Sequence, residues 1–166
     1  MAEQNYKFYL NEGIELTNQN KFDEAINSLN KAISLKPDNA LAYFSKAIAY
    51  HNLGQLRAAY ENYGKALLLD KKMIDAYFNR AQAILGLEDS TEDELKEALS
   101  NLETATELDP KFIDAHYYSA VVKKKLGLYE SAIVSLNKVL DMQPESPYSK
   151  ALKKLILTKY LHVEDK

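Results

Sequence analysis

The chain has 166 residues, of which 46% are hydrophobic and 27% charged, with a net charge of −3 and no cysteine. That balance excludes nonspecific binding to a phosphate backbone, which needs a strong cationic field. It also excludes a disulfide framework, a thiol nucleophile and a cysteine metal site. The opening MAEQNYKFYLNEGIE lacks the unbroken apolar run of a secretion signal, and no stretch approaches the ~18 apolar residues of a membrane span. The expected setting is cytoplasmic, with neither nucleic acid nor membrane as partner.

Taken in order, the chain repeats itself. Residues 6–39, 40–73, 74–112 and 113–146 each read as two amphipathic helices followed by a turn, and 147–162 as one further helix. Pro37, Pro110 and Pro144 close three of these units; the step from Pro37 reaches Lys71 in LLLDKKMIDAY, the same turn with its proline replaced. Proline lacks an N–H and clashes with a continuing helix, so it ends the second helix and suits the start of the next element. Asp38 and Asn39 are candidate caps for the helix opening near Ala40.

Four columns carry the register. Ala25, Ala59, Ala98 and Ala132 recur, and Ala32, Ala66, Ala105 and Val139 follow each by seven residues. Gly13, Ala47, Ala81 and Ala120 form the third column; Tyr9, Tyr43, Tyr77 and His116 form the fourth. All agree on a period of 34 residues and on one insertion of five in the third unit. Small residues let two backbones approach, and the aromatics fill the wider gaps. His116 stands in the aromatic column as a core substitute.

The insertion lies in LGLEDSTEDELKEAL. Thr91 and Glu94 form a capping box, which predicts a loop near 86–91 and a helix over 92–108. Glu88, Asp89, Glu92, Asp93 and Glu94 read as a solvated, well-capped loop in preference to an acidic docking patch. In the final helix Lys150 and Lys154 occupy positions that would otherwise pack on a following helix, so 147–162 reads as a cap; Leu157 and Leu161 are expected near its outer face.

These residues carry a resemblance to the tetratricopeptide repeat family, with its W-x2-L-G-x2-Y…A-x3-F…P pattern. Tyrosine stands in for tryptophan at Tyr9, Tyr43 and Tyr77, and A-x3-F appears as Ala25/Leu29, Ala59/Tyr63, Ala98/Leu102 and Ala132/Leu136. The resemblance covers residues 6 to about 162. It implies an all-α, right-handed superhelix, an α-solenoid of four helix-turn-helix repeats and a cap within one domain over 1–166, its concave side lined by the first helix of each pair.

It also implies where a partner lies: along the second, fifth, sixth, ninth and twelfth positions of those first helices. The first unit offers Lys7, Leu10, Asn11, Ile14 and Thr17, and the cap Tyr148, Ala151 and Leu152. The middle is apolar and aromatic: Phe44, Ile48, Phe78, Tyr117, Tyr118 and Val121, with the amides Asn79 and Gln82 beside them. Such a groove suits a peptide or helix laid in by its apolar face; the competing reading is that the rings pack on adjacent helices. Relatives that grip the C-terminal carboxylates of chaperones use Lys, Asn and Arg where this chain has Leu10, Ile14, Ser45, Asp75 and Asn79, or Phe44, Ile48, Asn79, Asp114 and Tyr118 one unit on. The carboxylate clamp is absent.

Chemistry is not written elsewhere. His51, His116 and His162 fall in different units, without a carboxylate at metal-like spacing, and there is no phosphate loop, nucleophile elbow or zinc motif. The expectation is no catalytic residue, no metal and no cofactor, and a protein-interaction module with a protein or peptide partner. Lys123, Lys124, Lys125, Lys150, Lys153, Lys154 and Lys159 make the C-terminal end basic, read first as a solvated face. The alternative function is a self-assembling structural subunit that uses the solenoid ends: Leu10 and Ile14 at one, and at the other a weak homodimer through Leu157 and Leu161.

Overall fold

A computed structural model describes residues 2–162; the ends of the 1–166 span, residue 1 and residues 163–166, lie outside them. The described residues form nine helices and no strand, and they divide into two compact units, one up to Glu88 and one from Asp89. The first holds α1 (Ala2–Asn18), α2 (Phe22–Leu35), α3 (Ala40–Asn52), α4 (Leu56–Leu69) and α5 (Ile74–Gly86). The second holds α6 (Glu92–Leu108), α7 (Ile113–Lys125), α8 (Tyr129–Met142) and α9 (Pro147–Lys159). Within each unit, every helix packs on the next in the chain.

Turn chemistry explains why the helices stop where they do. Between α1 and α2, α3 and α4, and α7 and α8, one residue adopts positive φ: Asn20 (59°), Gly54 (73°) and Gly127 (74°). Each is followed by an N–H that reaches back across the turn, from Lys21 to the Leu16 carbonyl, Gln55 to Tyr50 and Leu128 to Lys123, at 2.8–2.9 Å. This is the Schellman closure, which needs glycine, or a tolerant asparagine, at the left-handed position. The third such turn carries the insertion instead, and there the capping box forms as expected. The Thr91 hydroxyl accepts from the Glu94 N–H at 3.2 Å, and the Glu94 carboxylate accepts from the Thr91 N–H at 2.9 Å.

The turn without proline keeps its form by another device. Asp70 Oδ1 accepts from the Lys72 N–H at 2.9 Å, as Asp109 Oδ1 accepts from the Lys111 N–H at 3.0 Å beside Pro110. An aspartate that bonds the backbone two residues on holds the turn whether or not proline follows it. Of the two candidate caps for α3, Asn39 does the work, accepting from the Ala42 N–H at 2.9 Å.

The repeated small residues are the contacts between helices. Ala25, Ala59, Ala98 and Ala132 are fully buried, as are Ala32, Ala66 and Ala105, with Val139 at 1%. Gly13 marks the closest approach: a Cβ there would sit 2.5 Å from Leu29 Cγ and 3.3 Å from the Ala25 carbonyl oxygen. Leu29, Tyr63, Leu102 and Leu136 all lie at 0–1% exposure. Burial of such a side chain contributes about 1.5–3 kcal/mol, so the column is the main source of cohesion in each pair. His116 is buried, its Nε2 3.0 Å from the Pro110 carbonyl oxygen.

A fifth column escapes the sequence reading. Ser28, Asn62, Asn101 and Ser135 follow the same period and are all buried, although polar. Ser28 Oγ donates to Glu12 Oε2 at 2.7 Å, Asn62 Nδ2 to the Ala58 carbonyl at 2.8 Å, and Lys123 Nζ to Ser135 Oγ at 3.1 Å. These bonds satisfy only part of the column: Asn62 Oδ1 and Asn101 Nδ2 are buried without a hydrogen-bond partner.

The cap behaves as expected at its lysines, Lys150 and Lys154 both being exposed. The leucines differ from expectation. Leu161 turns inward onto the cluster of Ala120, Ala132, Leu136 and Ile156, and Leu157 is half-buried. Helix α9 ends at Lys159, before Leu161, so the outer-face projection of a continuous helix does not apply to that residue.

Candidate functional site

The eight groove candidates fall five in the first unit and three in the second. In the first, Phe44 and Ile48 lie on α3 and are half-buried, packed against the cluster of Ala47, Ala59, Tyr63 and Ala76. The Phe44 ring is tilted against the fully buried Tyr63, centroids 5.8 Å apart, and the His51 imidazole meets Tyr63 edge-on at 6.2 Å. Burial pushes the Tyr63 phenol far above its ordinary range and pulls His51 below the usual imidazole value. Part of each candidate's surface is therefore committed to the core. Phe78, Asn79 and Gln82 follow on α5, also half-buried. Leu10, offered above as a contact residue, is buried in the cluster of Tyr6, Leu29 and Ala42, and Ile14 packs against it.

In the second unit Tyr117 and Tyr118 lie side by side on α7, their rings edge-to-face at 5.5 Å. Tyr117 rests on the core of Ala120, Leu136 and Ile156. Both tyrosines wall a cleft of about 390 Å³, with Ile113 and Asp114 from the same helix. The opposite side comes from Val139 and Gln143 at the end of α8 and from Ser146, Tyr148 and Ser149 at the start of α9. Ser146 caps α9 and its hydroxyl donates to Ser149 Oγ at 3.0 Å, which fixes the floor. Tyr148 is 75% exposed. The Tyr117 phenol is raised above its usual value, first by burial and then by the neighbouring Tyr118 and Tyr148 hydroxyls. Val121, one turn along, is half-buried and does not line this cleft.

The sequence points to Tyr117 and Tyr118 and, from the cap, Tyr148, but carries no signal for Gln143 and Ser146. The usable signal was register: Tyr148 occupies the same helix position as Asp75 and Asp114. A second cleft, also missed, lies between α4 and α5, about 470 Å³ in volume, with Lys65, Leu68, Lys71, Tyr60 and Arg80 on its walls. The Arg80 guanidinium stacks 4.4 Å from the Tyr60 ring centre, beside Gly64.

The charge runs are largely spent locally. Lys96 pairs with Glu92 at 2.7 Å and lies 3.8 Å from Asp93, which lowers Glu92 and raises Lys96 from their ordinary values. Lys123 lies 3.6 Å from Glu103, Lys150 pairs with Glu145 at 2.9 Å, and Lys153 donates to Asn137 at 2.7 Å. Among the described residues no group of three or more His, Asp or Glu side chains is placed to hold a metal, and no helix is long and apolar enough to cross a membrane.

Family models described as TPR repeat and Tetratricopeptide repeat match residues 13–54, 40–73 and 90–156. The chain belongs to the tetratricopeptide-repeat family. Protein O-mannosyl-transferase TMTC3 of Homo sapiens is 30% identical to this repeat chain over 130 residues, a stretch that makes up 78% of the chain and 14% of that protein. The chain thus spans about a seventh of the length of that relative. Among solved structures, a crystal structure of MamA protein superposes with a TM-score of 0.86 at 22% identity, covering 94% of this chain and 82% of that one. That likeness shows the all-α tetratricopeptide-repeat fold. The first tetratricopeptide domain of Spaghetti (RPAP3), solved bound to the HSP90 peptide SRMEEVD, superposes at 0.67 with 26% identity over 74% of this chain and 94% of that one. The repeat family and the fold of these neighbours support a protein-interaction module.

Proposed function

We propose that the chain binds a peptide or a helix of a partner protein through half-buried apolar, aromatic and amide side chains of the first helix in each pair. These are Phe44, Ile48, Phe78, Asn79 and Gln82 in the first unit, and Tyr117, Tyr118 and Val121 in the second. The observation that carries the reading is the cleft beside α7, bounded by Tyr117 and Tyr118, two of the positions that the family resemblance implies for a partner. Rigid aromatic anchors at a concave site supply much of the affinity of such complexes, because each covers a large area at low entropic cost. The partner's apolar side chains would be buried on the rings, and the Asn79 amide would hydrogen-bond its backbone. The repeat chain performs no chemistry in this reading, and the peptide-bound relative supports the general mode.

The test begins with capture of the partner from the native source, followed by affinity measurements on the double variant Phe44→Ala/Phe78→Ala and on Tyr117→Ala. Removing an anchor should weaken binding roughly 30-fold or more, the scale of an interface hot spot, with helicity by circular dichroism largely retained. Unchanged affinity in the folded variants would remove the groove from consideration.

A further inference from the structure

Resting on that reading, we infer that the cleft of the second unit receives a cationic side chain of the partner peptide, with arginine its best occupant. The walls present three tyrosine rings, Tyr117, Tyr118 and Tyr148, around one volume. Aromatic faces attract a cation through the ring quadrupole, and guanidinium is the cation most often found there. The one charged side chain on the walls is Asp114, exposed at the mouth, and neither lysine nor arginine lines the cleft. The nearby Lys150 is engaged by Glu145 at 2.9 Å. Gln143 adds an amide oxygen on the side facing α7, an acceptor for one N–H donor of a guanidinium.

Size points the same way. At about 390 Å³ the cleft lies at the small end of ligand sites, enough for one long side chain rather than a packed helix. An acidic tail fits poorly, since its carboxylates would meet the carboxylate of Asp114 with no lysine or arginine on the walls to offset it. The selectivity is therefore opposite to that of the MEEVD peptide held by the RPAP3 relative. The first unit's cleft, with Lys65, Lys71 and Arg80 against the single carboxylate of Glu61, has a net positive lining and is a poor competitor for a cation.

Asp114 has a second role to be separated from this one. It stands in the first turn of α7, where a carboxylate also complements the helix N-terminus. A helix-end role alone would move stability and leave ligand preference untouched.

The experiment titrates the full chain with four capped hexapeptides, identical and apolar except for a central arginine, citrulline, lysine or glutamate. Tyrosine ring resonances of a 13C-tyrosine-labelled sample report binding. The arginine peptide should shift Tyr117, Tyr118 and Tyr148 and bind about tenfold tighter than its citrulline counterpart, lysine falling between and glutamate weakest. Asp114→Asn should remove most of the arginine-over-citrulline preference, and Tyr148→Ala, at a largely exposed position, should weaken arginine binding about threefold. If all four peptides bind alike, or if Asp114→Asn changes only the melting temperature, the cationic preference is wrong while peptide binding stands. If glutamate binds best, the polarity is reversed and the inference falls. If no peptide perturbs any tyrosine at millimolar concentration, this inference and the peptide-binding reading of the cleft fall together.

Discussion

Helices α5 and α7 open with the same three residues, Ile74-Asp75-Ala76 in the first unit and Ile113-Asp114-Ala115 in the second, and then part company. Ala76 and Ala115 are both fully buried, so each helix meets the one before it at the same small residue. Beyond that point Phe78, Asn79 and Arg80 stand where the second unit has Tyr117, Tyr118 and Ser119. Arg80 lies over Tyr60 and, with Lys65 and Lys71, makes the cleft of the first unit cationic. Ser119 is buried at 3% and sends no charge to the surface, and the second unit's cleft carries only the carboxylate of Asp114. Repetition therefore constrains the positions where backbones touch and releases their immediate neighbours. The two clefts use different positions of these helices, Tyr77 and Arg80 on α5 but Ile113, Asp114, Tyr117 and Tyr118 on α7.

That comparison can be broken at the level of packing first. Leu29→Ala in the first unit and Ile156→Ala in the second each empty a fully buried site and should cost about 2–5 kcal/mol in urea or thermal unfolding. A loss confined to one of them would show that the two units are not held by the same kind of contact. Next comes close approach. Gly13→Ala drives a methyl into Leu29 and the Ala25 backbone and should cost about 1–3 kcal/mol. Gly86→Ala meets only the terminal Cδ1 of Leu56, which can swing aside, and should cost less. Equal effects at both glycines would refute the idea that Gly13 marks the tighter contact.

A smaller effect belongs to the inserted turn. Thr91→Ala removes the hydroxyl half of the capping box and should destabilise α6 by about 1 kcal/mol, with Thr91→Ser restoring it. The smallest concerns the histidine of the first unit. Burial holds the folded His51 below the ordinary 6.5, so on acidification the unfolded chain takes its proton first. Stability owed to neutral His51 is complete above about pH 6.5 and is lost as pH falls through that value towards the folded one. The stability of the parent chain relative to His51→Gln should therefore decline from about pH 7.5 to 5.5 in urea melts; a difference that stays flat would mean that burial at His51 has no consequence.

Much of this fold could be read before any coordinates. The alanine columns, the A-x3-F positions and the capping box are local or strictly periodic signals, and each maps onto a buried contact or a helix end. Even the missing proline at Lys71 is legible in retrospect, because Asp70 and Asp109 write the same turn in both places. The buried polar column was harder to see. Ser28, Asn62, Asn101 and Ser135 differ in type, and a polar residue on a helix reads as solvent-facing until the partner that satisfies it is known. Leu161 was misplaced for a related reason: a helical wheel assumes that the helix continues, and here it has already ended. Of the candidate site, the family resemblance pointed to Tyr117 and Tyr118, but the opposite wall of their cleft comes from the end of α8 and the start of α9.

The order of residues by itself settled what recurs every 34 positions: helix lengths, stop signals and the small side chains at which neighbouring helices touch. Those properties depend on backbone sterics and on burial along a single helix face, and both have a period visible in one dimension. Tertiary structure alone decided which half-buried rings share a cavity, which charges stand beside them and which polar groups find partners inside. Those are distances between residues remote in the chain, set when one helix is laid against another.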